Sequence, residues 1–119
     1  MARPVYELKA ELFKTLGHPA RIRILEALRS GESTVAGISE AIGISGSTLA
    51  QHLATLRRAN VVSSRRDGSL AIYEVVDPGV FQLLETGRRM LTTSLSGSAE
   101  ILADLEQMTY RDTAVDDAE

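Results

Sequence analysis

Residues 35–58 read VAGISEAIGISGSTLAQHLATLRR, two apolar-periodic runs parted by Gly43-Ile44-Ser45. In the first, Thr34 to Ile42, the apolar residues Val35, Ile38, Ala41 and Ile42 fall on one side of a helix that Gly43 closes. Ser45 is a good N-cap for a second helix, Ser47 to Ala59, with Leu49, His52 or Leu53, and Leu56 at its inward positions. Asn60 stands where that helix must stop, and Asn tolerates the left-handed conformation a C-terminal cap wants. Two helices joined by so short a Gly-containing turn have the spacing of a helix-turn-helix.

Working outward, Val5, Leu8, Leu12, Phe13 and Leu16 mark an amphipathic helix stopped by Gly17. Pro19 opens the next at an N1 position, carrying Ile22, Ile24, Leu25 and Leu28 inward and ending at Ser30-Gly31. Beyond Asn60 the period turns strand-like: Val61 to Arg66, then Asp67-Gly68, then Ser69 to Val76. Asp-Gly between two such runs predicts a hairpin with a type I′ turn. Asp77-Pro78 then reads as an N-cap and N1 proline opening a long helix through Phe81, Leu84, Leu91, Leu102 and Met108, weakened at Gly87 and over 94–98, where a kink or break is expected. The order is four helices, a hairpin and a long helix. The expected fold class is therefore mainly α with a small β-hairpin, a winged helix-turn-helix, with residues 1–110 as one domain and 111–119 as an acidic flexible tail.

Composition agrees. Hydrophobic residues make up 44% and charged residues 24% of the 119, as in a globular chain, and the 4% aromatic content leaves the core to Leu, Ile, Val and Ala. With no cysteine there is neither a disulfide nor a thiolate metal site. The charged N-terminus lacks a signal-type apolar run and no stretch approaches a membrane span, so a cytoplasmic location with no membrane partner is expected. The net charge of −3 conceals an asymmetry: residues 1–76 hold 10 Lys/Arg against 7 Asp/Glu, and residues 77–119 hold 3 against 9. A basic portion precedes an acidic one. Without Cys, a glycine-rich phosphate loop or a Ser-His-acid constellation, an enzyme is not indicated.

In a helix-turn-helix the N-terminal part of the second helix enters the DNA major groove. Here it offers Ser45, Gly46, Ser47, Thr48 and Gln51, small or hydrogen-bonding groups, of which Gln suits the N6/N7 edge of adenine. His52 lies among them, as a reader or as a packing or backbone-contact residue. Arg57 and Arg58 add positive charge at the helix end, and Arg65, Arg66 and Gly68 put two guanidinium groups beside a tight turn, suited to phosphate or minor-groove contact. Polar groups at these positions would equally solvate an exposed helix and ribbon.

Several segments, in order, resemble one family. Leu16-Gly17-His18-Pro19-Ala20-Arg21-Ile22-Arg23-Ile24-Leu25 resembles the opening L-x-x-P-x-R-x-x-I-L of the ArsR/SmtB bacterial repressors, and Ile44 to Leu53 looks like their recognition helix. Leu56 to Val62 and Arg65-Arg66-Asp67-Gly68 continue the match through Tyr73, so that the likeness covers about residues 8–85. Asn60 departs from the family's usual Gly. The resemblance implies a homodimer whose first and last helices pack against their symmetry mates, and double-stranded DNA with an inverted-repeat operator as the partner. The expected function is a dimeric transcriptional regulator, most often a repressor in this family. The alternative is a winged-helix protein-interaction module that docks through its long acidic helix.

The sensor is less legible. Family members that sense soft metals carry Cys where this chain has Ser33 to Ile38, and those that sense zinc-like metals use His and carboxylates in the last helices, whereas residues 77–119 contain no His. An N/O-ligand metal such as nickel would have to draw on His18, otherwise a surface or cap residue, with Glu100, Asp104, Asp116, Asp117 or Glu119. A small molecule or a separate effector-sensing protein is the other route.

Overall fold

The computed structural model describes residues 2–94, 103–104 and 106–107. Five helices and three strands follow in the order α1 (Val5–Leu16), α2 (Pro19–Ala27), β1 (Ser33–Thr34), α3 (Val35–Ile42), α4 (Gly46–Arg58), β2 (Val62–Asp67), β3 (Leu70–Val75) and α5 (Gly79–Ser94). This is the winged helix-turn-helix the sequence predicts, with one addition. Ser33 pairs with Tyr73 and Thr34 with Ile72, so the ribbon is a three-stranded antiparallel sheet in the order β1-β3-β2 rather than a hairpin alone.

Local chemistry sets the helix ends. Pro19 presets the first turn of α2 while the His18 Nδ1 accepts the Ala20 amide at 3.1 Å, which makes His18 the cap. That helix ends at Ala27, a turn earlier than its apolar pattern suggests, because the chain bends through 28–30 to reach β1. The Thr34 Oγ1 accepts the Gly37 amide at 3.0 Å to open α3, and Gly43 closes it at φ 71°. At the end of α4, Asn60 takes φ 61°. The Val61 amide then donates to the Leu56 carbonyl and the Asn60 amide to the Arg57 carbonyl, both at 3.0 Å. That pair of bonds is a Schellman cap, which satisfies carbonyls the helix leaves open. Asn supplies the left-handed residue that the family usually draws from Gly.

Two local expectations are corrected. The strands pair as far as Asp67 with Leu70, so the hairpin loop is Gly68-Ser69 rather than one centred on Asp67-Gly68. Within the turn, positive φ occurs at Gly68 alone, 63°, so it has the II′ pattern with Gly first, and Asp67 stays in the ladder. In the last helix, the Asp77 carboxylate caps the Gly79 amide at 2.9 Å as its N-cap position predicts. The helix nevertheless passes through Gly87 unbroken to Ser94. The suspected break at 94–98 lies, beyond Ser94, outside the described residues, as do residues 111–119.

The core is one cluster, to which α1 gives Leu16, α2 gives Ile24 and Leu25, α3 gives Ile38 and Ile42, and α4 gives Leu49, Leu53 and Leu56. Leu28, Val61 and Val62 complete it, and Tyr73, Val75, Val80 and Leu83 pack on its edge. Each fully buried Leu, Ile or Val is worth about 1.5–3 kcal/mol of transfer free energy, and no polar or charged side chain among the described residues is buried to offset it. The consequence for function is that α4 is anchored by three leucines on one side and left open on the other.

Candidate nucleic-acid interface

At about 100° per residue, Leu49, Leu53 and Leu56 lie on one side of α4, while Ser47, Thr48, Gln51 and Arg58 lie on the opposite side. Ser45, Ser47, Thr48 and Gln51 are all exposed. Ser45 occupies the N-cap position in extended conformation, yet its side chain makes no cap hydrogen bond. Its hydroxyl therefore stays available to an outside partner, unlike that of Thr34. Farther along, the Thr55 hydroxyl donates to the Gln51 carbonyl at 3.0 Å and receives Arg58 Nη2 at 3.3 Å, which lays the guanidinium along the outer face.

His52 differs from its neighbours. It is half-buried, its Nδ1 accepts Arg21 Nε at 3.4 Å, and its ring lies 4.5 Å from that of His18. The side chain is thus seated against α2. Burial first, then the His18 ring and the Arg21 guanidinium, hold its pKa below the usual imidazole value.

The basic groups of the wing are ordered by contacts that local sequence did not reveal. Arg57 turns towards β2 and donates from Nη1 to the Ser64 hydroxyl at 3.3 Å, fastening the end of α4 to the ribbon. Arg65 Nη2 meets the Glu32 carboxylate at 2.6 Å, and Arg66 Nη1 donates to the Ser69 carbonyl at 3.3 Å across the turn at Gly68. Glu32 precedes β1 in the chain, and it reaches Arg65 only because β1 joins the sheet. No motif marks Glu32, Arg21 or Ser64 as members of this surface; their positions follow from strand pairing and helix packing.

Of the sequence-predicted metal ligands, only His18 and Asp104 lie among the described residues. His18 spends its Nδ1 on the α2 cap, Asp104 is exposed, and Glu100, Asp116, Asp117 and Glu119 lie outside the described residues. Among the described residues no three His, Asp or Glu side chains are grouped to hold a metal ion. Nor is any helix among them long and apolar enough to cross a membrane.

A second surface is apolar. Only Leu16 of α1 is buried and no residue of α5 is, while Val5, Tyr6, Leu8 and Phe13 on α1 and Met90 and Leu91 on α5 are about half or more exposed. Between the two helices runs a groove of about 600 Å³ lined by Leu12, Phe13, Ala59, Val61, Val80 and Leu83, with Lys9, Asn60 and Asp77 at polar positions.

Comparison with known proteins places this geometry. Residues 18–64 match the sequence model of the bacterial regulatory proteins of the arsR family. The HTH-type transcriptional regulator Rv0081 of Mycobacterium tuberculosis is 47% identical over 105 residues, spanning 87% of this chain and 92% of that protein. Its crystal structure superposes with a TM-score of 0.71 at 46% identity, covering 81% of this chain and 97% of the other. The transcriptional repressor BigR from Xylella fastidiosa gives a TM-score of 0.64 at 32% identity, over 76% of this chain and 96% of that one. The homodimeric winged helix-turn-helix domain Mb0332 from Mycobacterium bovis gives 0.69 at 25% identity, over 80% and 88% respectively.

Proposed function

Because the chain belongs to the arsR family of bacterial regulatory proteins and is a transcriptional regulator with a winged helix-turn-helix fold, we propose that it acts as a homodimeric repressor that reads an inverted-repeat operator. The observation that carries the reading is α4 itself: leucines on one face, and Ser47, Thr48 and Gln51 with the uncommitted Ser45 hydroxyl on the other. A helix so anchored can enter a major groove while keeping its core contacts. Ser and Thr serve phosphate or base edges and Gln51 an adenine, while Arg58, Arg65 and Arg66 neutralise the flanking phosphates. Gly68 keeps the wing tip slim enough to approach the duplex, and Arg57 holds the wing to the recognition helix.

Dimerisation joins the exposed apolar faces of α1 and α5 of two copies, as the homodimeric likeness of Mb0332 supports. Two recognition helices then lie about one DNA turn apart, roughly 34–36 Å. Repression follows from occupancy of a promoter, in line with BigR's description as a repressor, and the action belongs in the cytoplasm, where bacterial DNA lies. The test is selection of duplexes by the purified chain from a randomised pool, followed by mobility shift. Enrichment of an inverted repeat with half-site centres about 10–10.5 base pairs apart is expected. A pool that never enriches, with binding indifferent to sequence, would overturn the DNA-reading function in favour of a protein-interaction module.

A further inference from the structure

A polar contact joins the start of α2 to the middle of α4. His18 accepts the Ala20 amide on Nδ1 at 3.1 Å, and His52 accepts Arg21 Nε on Nδ1 at 3.4 Å. The two rings stand 4.5 Å apart, centroid to centroid, tilted by 50°. Arg21 also donates from Nη1 to the Thr15 carbonyl at 2.9 Å, so the contact gathers the last turn of α1, the first turn of α2 and the middle of α4. Both imidazoles therefore use Nδ1 as an acceptor. A neutral ring can do this only with its proton on Nε2, and an imidazolium cannot do it at all.

We infer that His18, Arg21 and His52 form a proton-sensitive seat for the recognition helix: neutral imidazoles fix α4 against α2, and proton uptake loosens it and weakens DNA binding. The inference rests on the DNA-reading role of α4 proposed above. Protonating His52 turns its acceptor into a donor facing a guanidinium N–H and sets a cation beside Arg21. The neighbouring His18 has its Nδ1 committed to the Ala20 amide and offers the His52 ring no acceptor there.

The groups that act on the His52 ring include no carboxylate. From α2 the facing groups are His18 and Arg21, and both depress the His52 pKa, as does burial. From α1 comes the Thr15 carbonyl, already occupied by Arg21. On β2, which packs against α4, the charged groups are Arg65, engaged by Glu32, Arg66, engaged by the Ser69 carbonyl, and Asp67 at the wing tip; on α4 itself Arg57 is turned to Ser64. Since the folded chain favours the neutral ring, His52 titrates below the usual 6.5 and the seat loosens at acidic pH. The sign is diagnostic. A histidine that touches phosphate strengthens DNA binding on protonation, whereas this seat predicts the reverse.

Two measurements on the full chain test it. In imidazole nitrogen NMR, both rings are expected as the Nε2–H tautomer, with His52 titrating below 6.5 and the α4 amides shifting in the same titration. In fluorescence anisotropy with a selected duplex, affinity is expected to fall from pH 7.5 to 5.5, by up to about tenfold per pH unit once His52 takes up its proton. His52→Gln, which keeps an acceptor but cannot charge, should flatten that profile. His18→Asn, which keeps a capping acceptor but removes the ring that lowers the His52 pKa, should move the profile to higher pH and guards against a fold defect in the first variant. An Nδ1–H tautomer at His52, α4 amides unmoved through its titration, or affinity that rises as pH falls overturns the inference. If no duplex is bound at pH 7.5, the DNA reading fails, and the NMR titration decides the seat by itself.

Discussion

Removing the two wing arginines should flatten the dependence of DNA affinity on salt. Each phosphate neutralised by a cation contributes about 0.9 to the slope of log affinity against log salt on duplex DNA. Arg65→Ala/Arg66→Ala deletes two such cations per protomer, hence about 3.6 from the slope of a dimer. Raising salt from about 50 to 200 mM spans about 0.6 log units, so wild type should lose about 150-fold more affinity than the variant over that interval. The structure adds a correction specific to Arg65. In the free protein it is paired with Glu32 at 2.6 Å, both side chains being about half exposed at 51% and 45%. An exposed pair of this kind is worth about 0.2–1 kcal/mol, which DNA binding must give up. Glu32→Gln should therefore raise affinity about 1.4- to 5-fold per protomer at low salt. Anisotropy titrations of a selected duplex at four salt concentrations measure both effects. Parallel salt slopes for wild type and the double variant would refute the phosphate role of the wing, and weaker binding by Glu32→Gln would mean that the carboxylate preorganises Arg65 rather than competing for it.

Other outcomes follow from single contacts. Leu56→Ala empties a fully buried site and should cost about 2–5 kcal/mol in urea unfolding, a large share of a stability that for most domains is about 5–15 kcal/mol; a loss under about 1 kcal/mol would contradict its place in the core. Asn60→Ala puts a residue poorly suited to φ 61° at the α4 cap and should destabilise by about 1–2 kcal/mol, whereas Asn60→Gly should not, as thermal unfolding of the pair will show. Leu8→Asp/Phe13→Asp alters two residues 49% and 53% exposed in the protomer, so the fold should survive while sedimentation equilibrium shifts from dimer to monomer; an unchanged dimer would put the interface elsewhere. The unfolded chain takes up a proton at His52 near the ordinary 6.5 and the folded chain only at lower pH, so the unfolded state binds more protons between the two values. Stability from this group is complete above 6.5 and falls as pH drops through that window; the urea midpoint should decline from pH 7.5 to 5.5, less so in His52→Gln.

How the chain divides between local and non-local determinants is visible residue by residue. His18, Thr34, Gly43, Asn60 and Asp77 set their helix ends through bonds to amides or carbonyls a few positions away, and Pro19 presets the first turn of α2, so sequence alone located α1 to α5 and the recognition helix among them. The leucines of α4 recur at helical spacing, which also made its outward face legible. The turn at Gly68-Ser69 was missed by one position because pairing of Asp67 with Leu70 depends on the register of both strands. The two-residue β1 carries no period of its own and exists only because β3 offers it a partner some 40 positions along the chain. Its pairing in turn brings Glu32 to Arg65, and the packing of α2 on α4 brings Arg21 and His18 to His52. Sequence by itself determined which segments are helix or strand and which face of α4 is polar, since those depend on neighbours within a turn. Tertiary structure alone decided which charges are tethered and which imidazoles meet, because contacts across 31 or 33 positions follow from chain path and packing, which no local pattern encodes.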